Sequence, residues 1–506
     1  MVEKVWGEIK THRWVYLLLG LILLGSSFLR VYRIDKVLGF YFDQGRDALV
    51  VWNFIYSPHK LFLIGPTTGL MGIFRGPYYY YFLAPFYFLG RGNPVWPSVG
   101  LAVTTLFAIL LTYYLGSRII NRSTGLIGAI IAGFSFNIIV ASRWLSNPTP
   151  MLLLSMVLVW GMFEIAQTSL KMKRKKQFWW IIVAFVYGLS LFNFGSSGEF
   201  FYTPALIIFI VWQAKRRNLP SLKYLVLSGF AFFLTFGPLV LFDFKHEHIL
   251  INNFTETFGA SSGSFKVPTL DFMRIRNASY FDIFADKIFQ DRGGRELIVL
   301  IIAGISFGGF LPRLIKNNGV RVMLLLLVSA TGGLYFYQGN HGVLYDYYMT
   351  GYYLVFILLF AVVLGRIWKW RMGKLFVIYF FYLFYMNNVP VTWLKITDRC
   401  GESTSICFVN QKEAIGWIYK NAGDKDFNVD VYVPPVIPYA YDYLVRWQAN
   451  PNRKDDEVPL LYTLYEVDPP HPERLDAWLA RQEGIGKIEE SYVSGGITVE
   501  RRARIK

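Results

Sequence analysis

Residues 41–48 read TyrPheAspGlnGlyArgAspAla, placing Asp43 and Asp47 four positions apart with Arg46 between them. If Asp43 to Phe54 is helical, the two carboxylates stand one turn apart on one face with the guanidinium alongside. That set suits two tasks: a carboxylate can take the proton of an attacking hydroxyl, and an arginine fork can orient a phosphate. The competing assignment is structural, with Asp43 capping the helix and Asp47 in solvent. Histidine offers less. His246 and His248 flank Glu247, but a spacing of two does not bring ligands onto one helix face, and HExxH is absent. His341 near Asp346 is either a polar contact or a plain loop. Neither GxGxxG nor a P-loop occurs, so a nucleotide-sugar or ATP site is not indicated.

The chain that must position these residues is mostly apolar. Of its 506 residues, 54% are apolar and 17% charged, with a mean hydropathy of +0.36; a soluble chain carries roughly 25% charged residues. Several apolar runs reach the ~17–25 residues that a bilayer-crossing helix needs. The expected class is a polytopic α-helical membrane protein. Its net charge of +17 does not point to nucleic acid, because Lys and Arg fall in short clusters between apolar runs, as the positive-inside rule requires of cytoplasmic loops. The clusters are Lys4/Lys10/Arg13, Arg118/Arg122, Lys171/Lys173/Arg174/Lys175/Lys176, Lys215/Arg216/Arg217/Lys223, Arg313/Lys316/Arg321 and Arg366/Lys369/Arg371/Lys374.

If each cluster is cytoplasmic, the chain crosses twice between successive clusters. The available runs are near 14–32, 97–116, 124–142, 149–169, 178–194, 199–214, 222–243, 297–312, 321–338, 348–365 and 373–388. That predicts about eleven spans in a cell membrane, with the N-terminus cytoplasmic and the C-terminal tail extracytoplasmic. The first run lacks a small-residue cleavage site and reads as an anchor. Tyr78 to Leu89 (YYYYFLAPFYFL) is short, contains Pro85, and reads as an interfacial or re-entrant helix.

A first outer loop at about 33–96 then carries Asp43, Asp47, His59 and Arg75, and later outward turns carry Asn147, Glu199, Asp243, Lys245, His246, His341 and Asp346. Residues 1–390 read as the transmembrane domain and 391–506 as an extracytoplasmic α/β domain. Within the latter we expect a helix at Lys412–Tyr419, a strand at Phe427–Val433, a helix at Pro472–Gln482 and a strand at Ile497–Val499. Cys400 and Cys407, at its start, are expected to pair in an oxidising compartment.

With the motifs in order, the chain resembles the membrane glycosyltransferases of the GT-C fold, in particular glycosyltransferase family 39 (the protein O-mannosyltransferase and aminoarabinose transferase group). The residues that carry the resemblance are Asp43-Gln44 after the first span, GlyIlePheArgGlyProTyrTyrTyrTyr (72–81), SerArgTrpLeuSerAsnProThrPro (142–150) and LeuPheAspPheLysHisGlu (241–247). The resemblance implies an inverting transfer of a sugar from a polyprenyl-phosphate donor to an acceptor at the outer face, the acceptor being protein, lipid or glycan. It makes Asp43 the matching essential aspartate. Two positions depart from the pattern: Gln44 stands where Glu is usual, and Asn147 where many members have Asp. Those losses weaken a two-carboxylate cage, so no cofactor and no tightly held metal is expected.

Glycosyl transfer passes through an oxocarbenium-like state and, with inversion, needs a base on the acceptor side. The lipid phosphate leaves as an anion and needs positive charge around it. Candidate groups are Arg46, Arg75, Arg143, Lys245 and His246, with Asp47 and Asn147 as further substrate contacts. Tyr345, Tyr347, Tyr348, Tyr352 and Tyr353 could stack on a sugar or simply form an interfacial belt. The rival from another class is a transporter or flippase, which would place ionisable groups near the bilayer midplane; here Glu164 is the exception and lies toward the inner end of its run. A non-catalytic assembly protein with a sugar-binding cap is the third reading.

Overall fold

The computed structural model describes residues 2–57, 61–68, 72–167, 176–258, 265–339, 342–434 and 437–505. His59, His341 and most of the basic stretch 171–176 lie outside the described residues. All eleven apolar runs are helical. They form α2 (Arg13–Val31), α6 (Val95–Ile119), the pair α7 (Arg122–Phe134) and α8 (Phe136–Arg143), α9 (Met151–Ala166), α10 (Phe178–Leu189), α11 (Tyr202–Lys215), α12 (Leu222–Lys245), α15 (Gly294–Leu314), α16 (Asn318–Phe336), α17 (Thr350–Ile367) and α18 (Arg371–Thr397). Among the described residues seven helices are long and apolar enough to cross a membrane, or eight if the bent pair counts as one span. The other three runs are shorter: α9, for instance, has 16 residues, about 24 Å at 1.5 Å per residue.

The third run is broken where the sequence read it as continuous. α7 and α8 meet at Ser135 with a bend of 60°. Three of the backbone groups freed by the break find side-chain partners on other helices. Asn388 Oδ1 accepts from the Phe136 N–H at 2.9 Å. The fully buried Arg30 on α2 donates to the Gly133 and Ala132 carbonyls at 2.8 and 3.0 Å. Arg143, at the other end of the pair, donates to the Leu29 and Tyr32 carbonyls at 3.0 and 3.1 Å and so caps α2. The first and third runs therefore cap each other. α17 is buried on nearly every side and forms the middle of the bundle, as a helix apolar all round must.

The loop helices sit at the end of the bundle that α2 leaves. α3 (Ile34–Val37) leads to α4 (Phe42–Tyr56) and α5 (Tyr78–Leu89). α5 is the tyrosine-rich stretch and buries Tyr79, Tyr80, Leu83 and Tyr87. α13 (Ile249–Phe258) and α14 (Leu270–Ala285) follow α12 at the same end, and α1 (Val2–Thr11) precedes α2.

The last helix of the bundle, α18, runs past residue 390 to Thr397 with Pro390 inside it. Cys400 and Cys407 form a disulfide. Beyond it come α19 (Phe408–Ala422), β1 (Phe427–Tyr432), α20 (Tyr439–Trp447), β2 (Leu460–Glu466), α21 (Pro472–Ile485), β3 (Gly486–Ser494) and β4 (Ile497–Arg504). The sheet order is β1-β2-β4-β3; β1 and β2 are parallel, the other two pairings antiparallel. Two strands and α20 go beyond the sequence reading. Central β2 is buried on both faces and shows no alternation, while edge β3 is mostly exposed and rich in Lys and Glu, as edge strands are.

Candidate active site

α4 holds the acidic pair, and its start is capped without Asp43. The Gln44 side chain accepts from the Tyr41 N–H at 3.1 Å and donates to the Leu145 carbonyl at 3.0 Å. Asp43 is thus a first-turn residue with a side chain 65% exposed, held by Arg46 Nη1 at 2.9 Å. Arg46 also reaches back to Asp47, its Nε and Nη2 meeting Oδ1 at 3.0 and 2.9 Å. Asp47 is buried and accepts a third bond, from the Tyr80 hydroxyl at 2.9 Å. Burial pushes its carboxyl up to about 6, against the pull of the Arg46 guanidinium and the bonds it accepts. One cation therefore joins an exposed carboxylate to a buried one.

Arg46 has a further partner, the Thr67 hydroxyl at 2.8 Å. Thr67 pairs with Phe74 across an isolated bridge, and Arg75 is fixed by its N–H to the Pro66 carbonyl at 2.9 Å and its carbonyl to the Gly65 N–H at 2.7 Å. A single hairpin thus sets both arginines. Gly65 permits this closeness, since a β-carbon there would collide with the Gly76 carbonyl. The Arg75 guanidinium is half-buried and makes one long bond, 3.5 Å, to the Leu191 carbonyl. Burial pulls its pKa down, partly countered by the nearby charge of Glu199 and the hydroxyls of Tyr347 and Tyr348. A guanidinium always stays protonated in proteins, so the desolvation means a cation short of anionic company.

Glu199 and the tyrosine turn complete the surround. The fully buried Glu199 accepts from the Gly351 and Ser196 N–H groups at 2.7 and 2.6 Å, which ties the turn before α11 to the first residues of α17 and, through them, to the turn that precedes it. The second turn carries Tyr347, whose hydroxyl senses both Asp43 and Arg75 and whose ring lies edge-on to Trp144 at 5.9 Å. Lys287, its side chain 1% exposed, anchors that turn through Asp346 at 2.7 Å.

The structure brings Asp43, Arg46 and Asp47 together and joins them, through Thr67, to the hairpin that carries Arg75. Asn147 lies in the loop that Gln44 ties to α4 and makes one long bond to the Phe194 carbonyl at 3.5 Å. Lys245 and His246 are exposed at the end of α12 and do not pair with the Asp43 group. His246 stacks on Phe242 at 3.9 Å, and the chain turns away through positive φ at Glu247 and His248, held by the buried Asp243 at the head of α13. Arg143 is engaged as a helix cap. Tyr80 and Thr67 were not singled out by sequence, and Glu199 was read there only as a residue of an outward turn. The inward spacing Tyr80–Leu83–Tyr87 was the available signal for Tyr80, but a run of four tyrosines hides which one faces in.

Among the described residues no group of three or more His, Cys, Asp or Glu side chains could hold a metal ion. The geometry of the acidic pair gives its own answer: the space a divalent cation would take between Asp43 and Asp47 is filled by Arg46. The residues present do not fit a metal at that place.

In fold, the chain is a GT-C membrane protein. It superposes on ArnT from Cupriavidus metallidurans bound to undecaprenyl phosphate with a TM-score of 0.62 at 11% identity, covering 96% of this chain and 98% of that one. The apo state of the same protein gives 0.52 at 13% identity, over 97% and 98%. The oligosaccharyltransferase of Archaeoglobus fulgidus in complex with Zn and sulfate gives 0.52 at 12% identity, over 96% of this chain and 73% of that one. Within that class, residues 74–242 match the family of dolichyl-phosphate-mannose-protein mannosyltransferases. That segment starts one residue before Arg75 and ends one before Asp243. No curated protein matches the chain significantly.

Proposed function

We propose that the protein is an inverting glycosyltransferase that moves a sugar from a polyprenyl-phosphate donor to an acceptor hydroxyl at the outer face of a cell membrane. One observation carries the reading: an exposed carboxylate, Asp43, is held on α4 by Arg46, while the same Arg46 bonds Thr67 of the hairpin that carries a second, half-buried guanidinium, Arg75. Inversion requires that base and leaving group lie on opposite sides of the sugar carbon, and a carboxylate and a guanidinium carried by two different elements are groups of the kinds those roles need.

Asp43 takes the proton as the acceptor oxygen bonds to the sugar carbon, and the bond from that carbon to the phosphate oxygen breaks. Arg46 aims Asp43 through their 2.9 Å contact. Arg75 holds the departing phosphate, which leaves as an anion and needs no proton. Tyr347 and Trp144 offer aromatic faces for the sugar. A donor of this kind agrees with the undecaprenyl phosphate on the ArnT structure. Transport fits less well, because the buried charges in the bundle have structural partners: Arg30 is spent on helix carbonyls, and Glu164 pairs with Lys176 at 2.6 Å and Arg118 at 3.4 Å.

The test is to offer the purified protein, in lipid, a panel of polyprenyl-phosphate-linked monosaccharides with mixed membrane extract as acceptor. Mass spectrometry should find free polyprenyl phosphate and a glycosylated product. Consumption of none of the donors would overturn the proposal.

A further inference from the structure

α4 is a helix with two working faces, and only one carries the site. Phe42, Gly45, Trp52 and Asn53 face the C-terminal unit, while Asp43, Arg46 and Asp47 face Thr67 and Tyr80. On the first face α20 lies directly against the helix backbone. A β-carbon at Gly45 would collide with the Ala440 nitrogen and the Tyr439 carbonyl carbon. Phe42 meets the Tyr439 ring at 4.9 Å, Trp52 meets Tyr443 at 6.0 Å, and Arg446 Nη1 donates to Asn53 Oδ1 at 2.8 Å. The same helix grips the turn between α5 and α6, through the Tyr443 hydroxyl to the Gly92 carbonyl and Trp447 Nε1 to the Arg91 carbonyl at 2.9 Å.

The strand of chain that leads into α4 is held by the other side of the unit. The Leu38 carbonyl accepts from the Phe408 N–H at 3.0 Å, the Phe40 carbonyl from Gln411 Nε2 at 2.9 Å, and the Ile406 carbonyl from the Tyr41 hydroxyl at 3.0 Å. Ile406 and Phe408 flank Cys407, so these bonds come from the disulfide loop and the helix it starts. Asn410 closes that loop, accepting from the Cys407 N–H at 3.1 Å and donating to the Cys400 carbonyl at 3.0 Å.

We infer that the C-terminal unit is a two-jaw clamp that positions the Asp43 helix for transfer, with Gly45, Arg446 and the disulfide loop as its positioning residues. It supplies none of the acidic or basic groups of the site. Its effect lies in the angle and depth of α4, a 15-residue helix that sits in a connecting loop and owes its place to what packs on it. The inference rests on the proposed transfer only for its kinetic consequence; the mechanical part stands alone.

The experiment uses the full chain in lipid nanodiscs, with Gly45→Ala, Arg446→Ala and Arg446→Lys, and with Gly416→Ala, a glycine facing open space, as the control. Hydrogen exchange is read over residues 42–56, 95–119 and 427–432, together with turnover on the best donor of the panel and binding of free polyprenyl phosphate. Gly45→Ala should speed exchange in 42–56 alone and lower turnover about 10²-fold, the usual result of a misplacement near 1 Å, while polyprenyl phosphate binding stays within about threefold because Arg75 sits on a separate hairpin. Arg446→Ala should do the same more weakly, by about threefold to tenfold, and Arg446→Lys should restore it. Unchanged exchange in 42–56, or faster exchange with wild-type turnover, overturns the clamp. If Gly45→Ala loosens all three segments, Arg446→Ala decides, and no selective effect there overturns it as well. If the wild type transfers no sugar, the proposed function fails and the exchange pattern alone judges the clamp.

Discussion

Asp43 and Asp47 divide the labour that two adjacent carboxylates could share. The exposed one can meet an acceptor; the buried one already accepts three bonds at one oxygen. Asp43→Asn keeps the shape but cannot take a proton, so transfer should fall ~10²-fold or more, with polyprenyl phosphate binding unchanged; near-normal turnover would move the base elsewhere. Arg75→Ala should instead weaken polyprenyl phosphate binding by ~1.5–3 kcal/mol, read by titration. Asp47 sets a pH dependence. Its carboxyl is pushed up to about 6 from 3.8, so the stability it contributes is full below about pH 4 and lost as pH rises through 6. Asp47→Asn should therefore gain stability relative to wild type between pH 4 and 7, by up to ~3 kcal/mol, in melts across that range. Gln44 makes the opposite point about resemblance. Restoring the usual acid with Gln44→Glu would put a carboxylate against the Leu145 carbonyl and lower stability by ~1–3 kcal/mol, visible as a reduced Tm.

Helices were the most legible part of the sequence, because an apolar run of membrane length has few alternatives. All eleven runs are helical, and α4, supposed over Asp43–Phe54 to bring its two carboxylates onto one face, runs Phe42–Tyr56. Breaks were less legible. Nothing in GlyPheSerPheAsn marks a 60° bend, since its partners, Arg30 and Asn388, come from helices far away in the chain. For the same reason the sequence could assign Arg143 to the site on charge alone, although carbonyls of α2 claim it. In the C-terminal unit the strand that alternates least, β2, is the one buried on both faces, and a period-of-two reading cannot see it. Arg30→Leu tests the bend: it strands two carbonyls and should cost ~1–3 kcal/mol each, measured by thermal melt in detergent with the fold monitored by circular dichroism.

Among the described residues, basic clusters gather at one end of the bundle, where Arg122 meets Glu8, Arg216 the Ala166 carbonyl and Arg321 the Trp212 ring, and the titratable site, loop helices and C-terminal unit lie at the other. Impermeant thiol reagents can read which end faces out, since the two native cysteines are joined. Asp455→Cys, at a side chain 95% exposed, should be labelled in intact cells, and Lys369→Cys, in the turn between α17 and α18, should be shielded; the reverse pattern would invert the topology. The reciprocal caps bear on how such a chain is made. Arg30 leaves the ribosome some hundred residues ahead of the carbonyls it will bond, and a lone cation in a membrane segment is costly. Arg30 sits in the last turn of its helix, where a long side chain can keep its charge at the interface until the third run is made, so the two runs can cap each other only after both have left the ribosome.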